Sequence, residues 1–394
     1  MPSFRRRHYV YKHGPKRIAA SLLDAAGDLL TLPFRRPPVK VGNPKKILVI
    51  RIDQIGDAVM TRPAIKRLAE SFPHAPIDVL ASEQTAPLFR ATPGISEVLV
   101  FQNSWLSTGA SFFSSLAASG RIITLLRSKR YDLGIDFRGD LRSIALMAVA
   151  GIPIRVGFGI TGGGFLLTHE ASFPRDTHQV ESNCRLLSVL GLELKAQGLD
   201  RFDYSKSHQE GFQQRLGSLL GESGLPRILI HPGANYPSKR WPQENFKELI
   251  SKISRENMGR VILIGSNDEK DVLAINGSEH IADLRGLTRL EDLPVISDLC
   301  DLYIGNDSGP AHIAAAQGME VVLLASGTND IRYWHPWTNR LHLVQHTVPC
   351  SPCEARECPL GHHDCMTKIS VSQVMQVVRT ILQRGTLETQ SKNA

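Results

Sequence analysis

From Lys46 onward, short apolar runs alternate with segments whose apolar residues recur every three or four positions. The runs "ILVIR", "IDVLAS", "SEVLVF" and "YDLGIDF" are interleaved with the helical patterns "DAVMTRPAIKRLAESF", a segment ending at Lys129, and "LRSIALMAVAG". A second series opens at Arg227: "RILIHPG", "NFKELISKISREN", "RVILIGS", a helix around Glu269–Asn276, the helical "LEDLPVISDLC", "DLYIGN", "AHIAAAQG" and "VVLLAS". Runs apolar at every position suit strands covered on both faces, and their alternation with helices is the pattern of parallel βαβ units. The pattern predicts an α/β protein with two doubly wound parallel-sheet domains joined near residues 200–226. The expected divisions are an arm at 1–45, domains at 46–205 and 206–369, and at 370–394 a final helix, "VSQVMQVVRTILQR", with a polar tail. A length of 394 residues also exceeds one ordinary core.

The arm has its own pattern. "KRIAASLLDAAGDLLTLP" sets Ile18, Leu22, Ala26, Leu29 and Leu30 on one side of a helix and Arg17, Ser21, Asp24 and Asp28 on the other. Charge sharpens this picture. The formal net charge is +8, yet residues 1–46 hold eleven Lys/Arg and two Asp/Glu, leaving 35 Lys/Arg against 36 Asp/Glu elsewhere. A basic arm on a neutral body calls for an anionic surface. Either the helix lies on an anionic leaflet, with "RRRHYVYKHGPKR" and "FRRPPVK" as basic flanks, or its apolar stripe packs on its own domain. Nucleic acid is disfavoured, because the arm's few aromatics (Phe4, Tyr9, Tyr11 and Phe34) do not form a stacking platform. Asp24 and Asp28 argue against a signal peptide, and "SIALMAVAGIPI" is too short to span a bilayer.

In open α/β sheets, ligands sit beyond the carboxyl ends of the strands, which selects three loops. In "GNDSGPAH", Pro310 suits the first turn of a helix, so the N–H groups of Ser308, Gly309 and Ala311 would face an anion. Asp307 repels phosphate and suits a pair of sugar hydroxyls, with His312 near the first turn as a donor. The bland alternative is an N-cap Asp and a packed His. "HPGANYPSKRWP" offers Gly233, Ala234 and Asn235 for close backbone approach, then Lys239 and Arg240 as cations for a diphosphate. "RIDQIGD" ends a strand and carries Arg51, Asp53, Gly56 and Asp57. Asp57 suits a general base or an N-cap, with Asp53 its rival. No Gly-x-Gly-x-x-Gly is present, which removes the main support for a nicotinamide oxidoreductase.

Four of the six cysteines lie in "CSPCEARECPLGHHDC", at Cys350, Cys353, Cys358 and Cys365. A structural zinc is one reading, but the second cysteine pair lacks the usual spacing. Reduced thiols in a surface excursion are the preferred reading.

As a set, "ILVIRIDQIGDAVMTRPAIKRL", "HPGANYPSKRWPQENF", "GNDSGPAHIAAAQG" and the cysteine segment resemble glycosyltransferase family 9, the lipopolysaccharide heptosyltransferase family, from about Lys46 to the C-terminal helix. The resemblance implies a GT-B fold: two Rossmann-like domains facing across a cleft, the acceptor in the first, the nucleotide-sugar donor in the second, and the final helix packed back on the first. It also implies cofactor-free, metal-independent, inverting transfer of heptose from ADP-heptose to a lipid-linked lipopolysaccharide core acceptor. The enzyme would be cytoplasmic and peripheral on the inner face of the bacterial inner membrane. By this resemblance Asp57 is the base, Lys239 neutralises the leaving diphosphate, and Asp307, Gly309 and His312 hold the donor. The chain departs from the well-known heptosyltransferases in carrying Asp53 where they tend to have Ser or Thr, and in its basic arm. Two alternatives stay open: a family 9 transferase with another donor or acceptor, and a non-catalytic nucleotide-sugar-binding module.

Overall fold

Ile47–Arg51 (β1), Ile77–Ser82 (β2), Ile95–Phe101 (β3), Leu133–Asp136 (β4), Ile154–Gly157 (β5) and His169–Glu170 (β6) form one sheet in the order β3-β2-β1-β4-β5-β6. Every pairing is parallel. Arg227–His231 (β7), Arg260–Leu263 (β8), Ile281–Asp283 (β9), Leu302–Asn306 (β10), Glu320–Ala325 (β11) and Leu341–Gln345 (β12) form the second, also parallel, in the order β12-β11-β10-β7-β8-β9. Counted from its own first strand, each sheet has the Rossmann order 3-2-1-4-5-6, whose direction reverses between the first and fourth strands. This computed structural model describes residues 9, 14–31, 41–101, 112–192, 198–220, 224–269 and 280–392. The expected helix around 269–276 and the arm's flanking stretches fall largely outside them.

The chain divides into two units, Met1–Gln197 and Gly198–Ala394. In the first, Leu48, Ile50 and Leu80 pack with Ile122, Leu126, Ile144 and Met147 from the helices Phe112–Lys129 and Leu141–Val149. In the second, Ile228, Ile230, Ile304 and Val322 pack with Phe246, Leu249 and Ile253 of the helix Gln243–Arg255. The C-terminal helix, Val371–Lys392, runs on through the stretch expected as a polar tail. Its described apolar side chains Val374, Met375, Val378 and Ile381 lie in the core of the second unit.

The N-terminal helix, Gly14–Thr31 (α1), docks on the first unit by the side that the pattern marks as polar. Ala20, Asp24, Gly27 and Asp28 are buried. The Asp24 carboxylate accepts the Gly163 N–H at 2.7 Å and the Tyr9 hydroxyl at 2.8 Å. A Cβ on Gly27 would run into the Phe165 ring, so glycine permits the close approach. Packing by the apolar stripe is thus corrected: Ile18, Leu22, Leu29 and Leu30 face outward. Among the described residues no helix is long and apolar enough to cross a membrane.

Candidate active site

In the first unit, the register pairs Ile50 of β1 with Asp136 of β4, so the loops leaving these two strands open at the point where strand order reverses. After β1, the helix Ile55–Ser71 (α2) begins with Ile55, Gly56 and Asp57 in its first turn. Gln54 occupies the cap position, so Asp57 is not the N-cap. Its Oδ1 instead accepts a 2.9 Å hydrogen bond from the Arg51 guanidinium, which is 3.5 Å from Asp53 on its other arm. Arg51 is buried, and burial of a guanidinium demands paired anions. From the β4 loop, Arg138 donates to the Ile52 carbonyl at 3.1 Å and lies 3.9 Å from Asp53. Asp136 accepts the N–H groups of Arg138 and Asp140, and its pKa is pushed up to about 7 by burial and by the neighbouring Asp140 charge. The result is an alternating acid-base cluster at one strand end, with Asp57 at its partly exposed margin.

In the second unit, Gly305 of β10 pairs with His231 of β7 at the equivalent reversal. Lys239, from the loop after β7, meets Asp307, from the loop after β10: Nζ to Oδ2 is 2.6 Å, and Asn329 Nδ2 lies 3.4 Å from the same oxygen. Ser308 caps the helix Gly309–Ala316 in extended conformation without a side-chain cap bond, and its hydroxyl lies 3.1 Å from His231 Nδ1. The Asp307 N–H donates to the Leu324 carbonyl and the Ala311 N–H to the Ser308 carbonyl. Of the three N–H groups expected to face an anion, Ala311 is therefore already engaged, and Ser308 and Gly309 remain. Arg240 closes its own loop by donating from Nε to the Ala234 carbonyl at 2.8 Å, with Ala234 buried and Asn235 exposed on the same loop.

His312 is buried, and its Nδ1 has no hydrogen-bond partner among the described residues. Burial pushes its pKa down to about 4; the Asp307 charge opposes this, while Lys239 reinforces it. The ring is therefore neutral at pH 7, able to donate one hydrogen bond but carrying no charge for a phosphate. Stability carries the same signature. Between pH 6.5 and about 4 an unfolded chain takes up the proton that the buried ring refuses, so stability should fall as pH falls through that window. The contribution is at most about 3 kcal/mol. Denaturant melts across the window should show a shallower slope for His312→Gln; a slope identical to wild type would count against it.

Residues 120–363 match the model for "Glycosyltransferase family 9 (heptosyltransferase)", more than half of the chain. The chain belongs to glycosyltransferase family 9. It is 29% identical over 304 residues to lipopolysaccharide heptosyltransferase 3 of Escherichia coli K12, covering 73% of this chain and 83% of that protein. Against lipopolysaccharide heptosyltransferase 2 of the same strain, identity is 27% over 357 residues, covering 86% and 98%. The solved E. coli ADP-heptose heptosyltransferase II superposes with a TM-score of 0.70 at 23% identity, over 86% of this chain and 99% of that one. A family 9 structure from Veillonella parvula gives 0.72 at 20%, over 86% and 98%. The fold is accordingly the two-domain GT-B type.

Within this family 9 chain, three residues at the strand ends escape a reading of the sequence alone. Asn306, fully buried, accepts the Trp241 N–H at 3.0 Å and donates to the Pro232 carbonyl at 2.7 Å, tying the loops after β7 and β10 together. Glu269, after β8, stands 3.4 Å from His231 Nε2 and accepts the Ser266 N–H. Burial pushes its pKa up, but His231, the Ser266 N–H and Arg240 outweigh this and hold it below the ordinary range. Its carboxylate lies where a Cβ on Gly233 would stand, which is the close approach that glycine allows. Asp136 is the third.

The cysteine segment lies at the surface, as expected, and also braces the loop after β7. Ser238, next to Lys239, donates from its hydroxyl to the Ala355 carbonyl at 2.6 Å and from its N–H to the Arg356 carbonyl at 3.1 Å; its own carbonyl is 2.9 Å from His363 Nε2. None of the six cysteines is in a disulfide. Cys358 Sγ accepts the His363 N–H, Cys350 Sγ lies 3.9 Å from His362, and among the described residues no three His, Cys, Asp or Glu side chains converge as metal ligands.

Proposed function

We propose that this family 9 chain transfers heptose from ADP-heptose onto a lipid-linked lipopolysaccharide core acceptor at the inner face of the bacterial inner membrane. The observation that carries the reading is the Lys239–Asp307 pair beside the strand-order reversal of the second sheet. A cation, the Ser308 and Gly309 N–H groups and a helix N-terminus suit the diphosphate, while Asp307 and Glu269 are acceptors for sugar and ribose hydroxyls. In the first unit, Asp57 takes the proton from the acceptor hydroxyl. That oxygen attacks the anomeric carbon, the bond to the diphosphate oxygen breaks, and ADP departs with the electron pair, neutralised by Lys239. A single displacement inverts the configuration. Arg51 and Asp53, with the Gly56 turn, orient Asp57 and meet the acceptor. The relatives named as lipopolysaccharide heptosyltransferases support heptose as the sugar. The test is ADP release from ADP-heptose with and without a heptose-deficient lipopolysaccharide core. Acceptor-dependent release is expected, and release only from a UDP- or GDP-sugar would overturn the donor assignment.

A further inference from the structure

An amphipathic helix ordinarily buries its apolar side. In α1 the relation is inverted: Asp24 and Gly27 anchor the helix to the first unit, while Ile18, Leu22, Leu29 and Leu30 stand 60%, 66%, 66% and 74% exposed. A docked helix that keeps these large aliphatic side chains, and Leu23 with them, in water presents a surface built to be covered. Its anchoring also fixes which way that surface points on the first unit, which a freely hinged arm would not do.

Charge identifies the cover. Residues 1–46 carry a net +9 on a chain whose remainder is −1, and Lys16 and Arg17 sit exposed in the first turn of α1. An aliphatic ridge with basic flanks and no aromatic residue in the helix matches an anionic bilayer surface, whose acyl boundary takes the leucines and whose headgroups take the cations. A single-stranded nucleic acid would call for aromatic stacking platforms among the cations, which α1 lacks, and a second copy of this chain would bring the same positive charge against itself. We infer that the outward face of α1 is a monotopic membrane-docking surface for anionic phospholipid. Its use for presenting the acceptor rests on the reaction proposed above; the binding itself does not.

The experiment uses the full-length protein, cosedimented with vesicles of phosphatidylglycerol and phosphatidylethanolamine or with phosphatidylcholine vesicles, at low and high salt. Wild type should sediment with the anionic vesicles, more weakly in salt. The exposed double substitution Leu22→Glu with Leu29→Glu should weaken that binding by at least about tenfold, while Leu22→Ile with Leu29→Ile retains it. ADP release with a soluble acceptor should be the same in all three. Equal sedimentation of the Glu variant and wild type overturns the inference. So does a wild-type dimer that the Glu substitutions dissociate without changing vesicle binding, or retention of wild type by an oligonucleotide but not by vesicles. Loss of ADP-heptose turnover with vesicle binding intact would overturn the reaction and leave the docking surface standing.

Discussion

Asp57→Asn should lower kcat by about 10³-fold, the share of the barrier that a positioned general base commonly supplies, with donor KM little changed. The amide keeps the size of the side chain and an oxygen for the Arg51 hydrogen bond but cannot hold the acceptor's proton. The loss should therefore fall on turnover. Asp57 forms an ion pair with a buried guanidinium that also reaches Asp53. Removing one anion leaves Arg51 less compensated, so a fall in melting temperature is expected alongside, and a donor-binding measurement on the same preparation separates misfolding from lost chemistry. A variant that keeps half or more of wild-type turnover would disqualify Asp57 as the base. Asp53, the other carboxylate facing Arg51, would then be the next to substitute.

The parts of this protein legible in its sequence are those whose cause is local. β1 and β10 are buried at every position, and continuous apolar runs such as "ILVIR" and "LYIGN" announce them. Asp57 and Lys239 are visible because a charged residue at the seam between a strand and a helix start already has a place in the fold. β5, β6, β9 and β12 carry no such run. They span two to five residues, and β5 and β12 mix buried with half-exposed positions, so no apolar run marks them. Asn306 shows the other limit. It adjoins Asp307 in a motif plain to the eye, yet its role depends on Trp241 and Pro232, 65 and 74 residues away. The same holds for α1: periodicity shows that one side is apolar, but which side is buried depends on Gly163, 139 residues from Asp24. Pattern encodes faces, and only tertiary partners assign them.

Lys239→Ala should lower kcat/KM by about 10²–10³-fold, as removal of a charge that stabilises a departing anion generally does. Unlike Asp57→Asn, it should impair donor binding as well, because in the proposed reaction the ammonium would meet the diphosphate before and after bond cleavage. The pair geometry adds a second term. With Lys239 present, Asp307 is neutralised at 2.6 Å; without it, a largely buried carboxylate faces the incoming diphosphate with Asn329 as its remaining short-range polar partner from that set. Attraction is lost and repulsion gained at once. Adding Asp307→Asn to Lys239→Ala should therefore recover about tenfold in donor affinity over Lys239→Ala alone, a non-additivity that a double-mutant cycle reads directly. Turnover should not return, since neither neutral side chain can carry the leaving charge. Unchanged kcat/KM in Lys239→Ala would sink the assignment of this lysine, and strictly additive donor affinities would show that Asp307 does not sense the diphosphate through it.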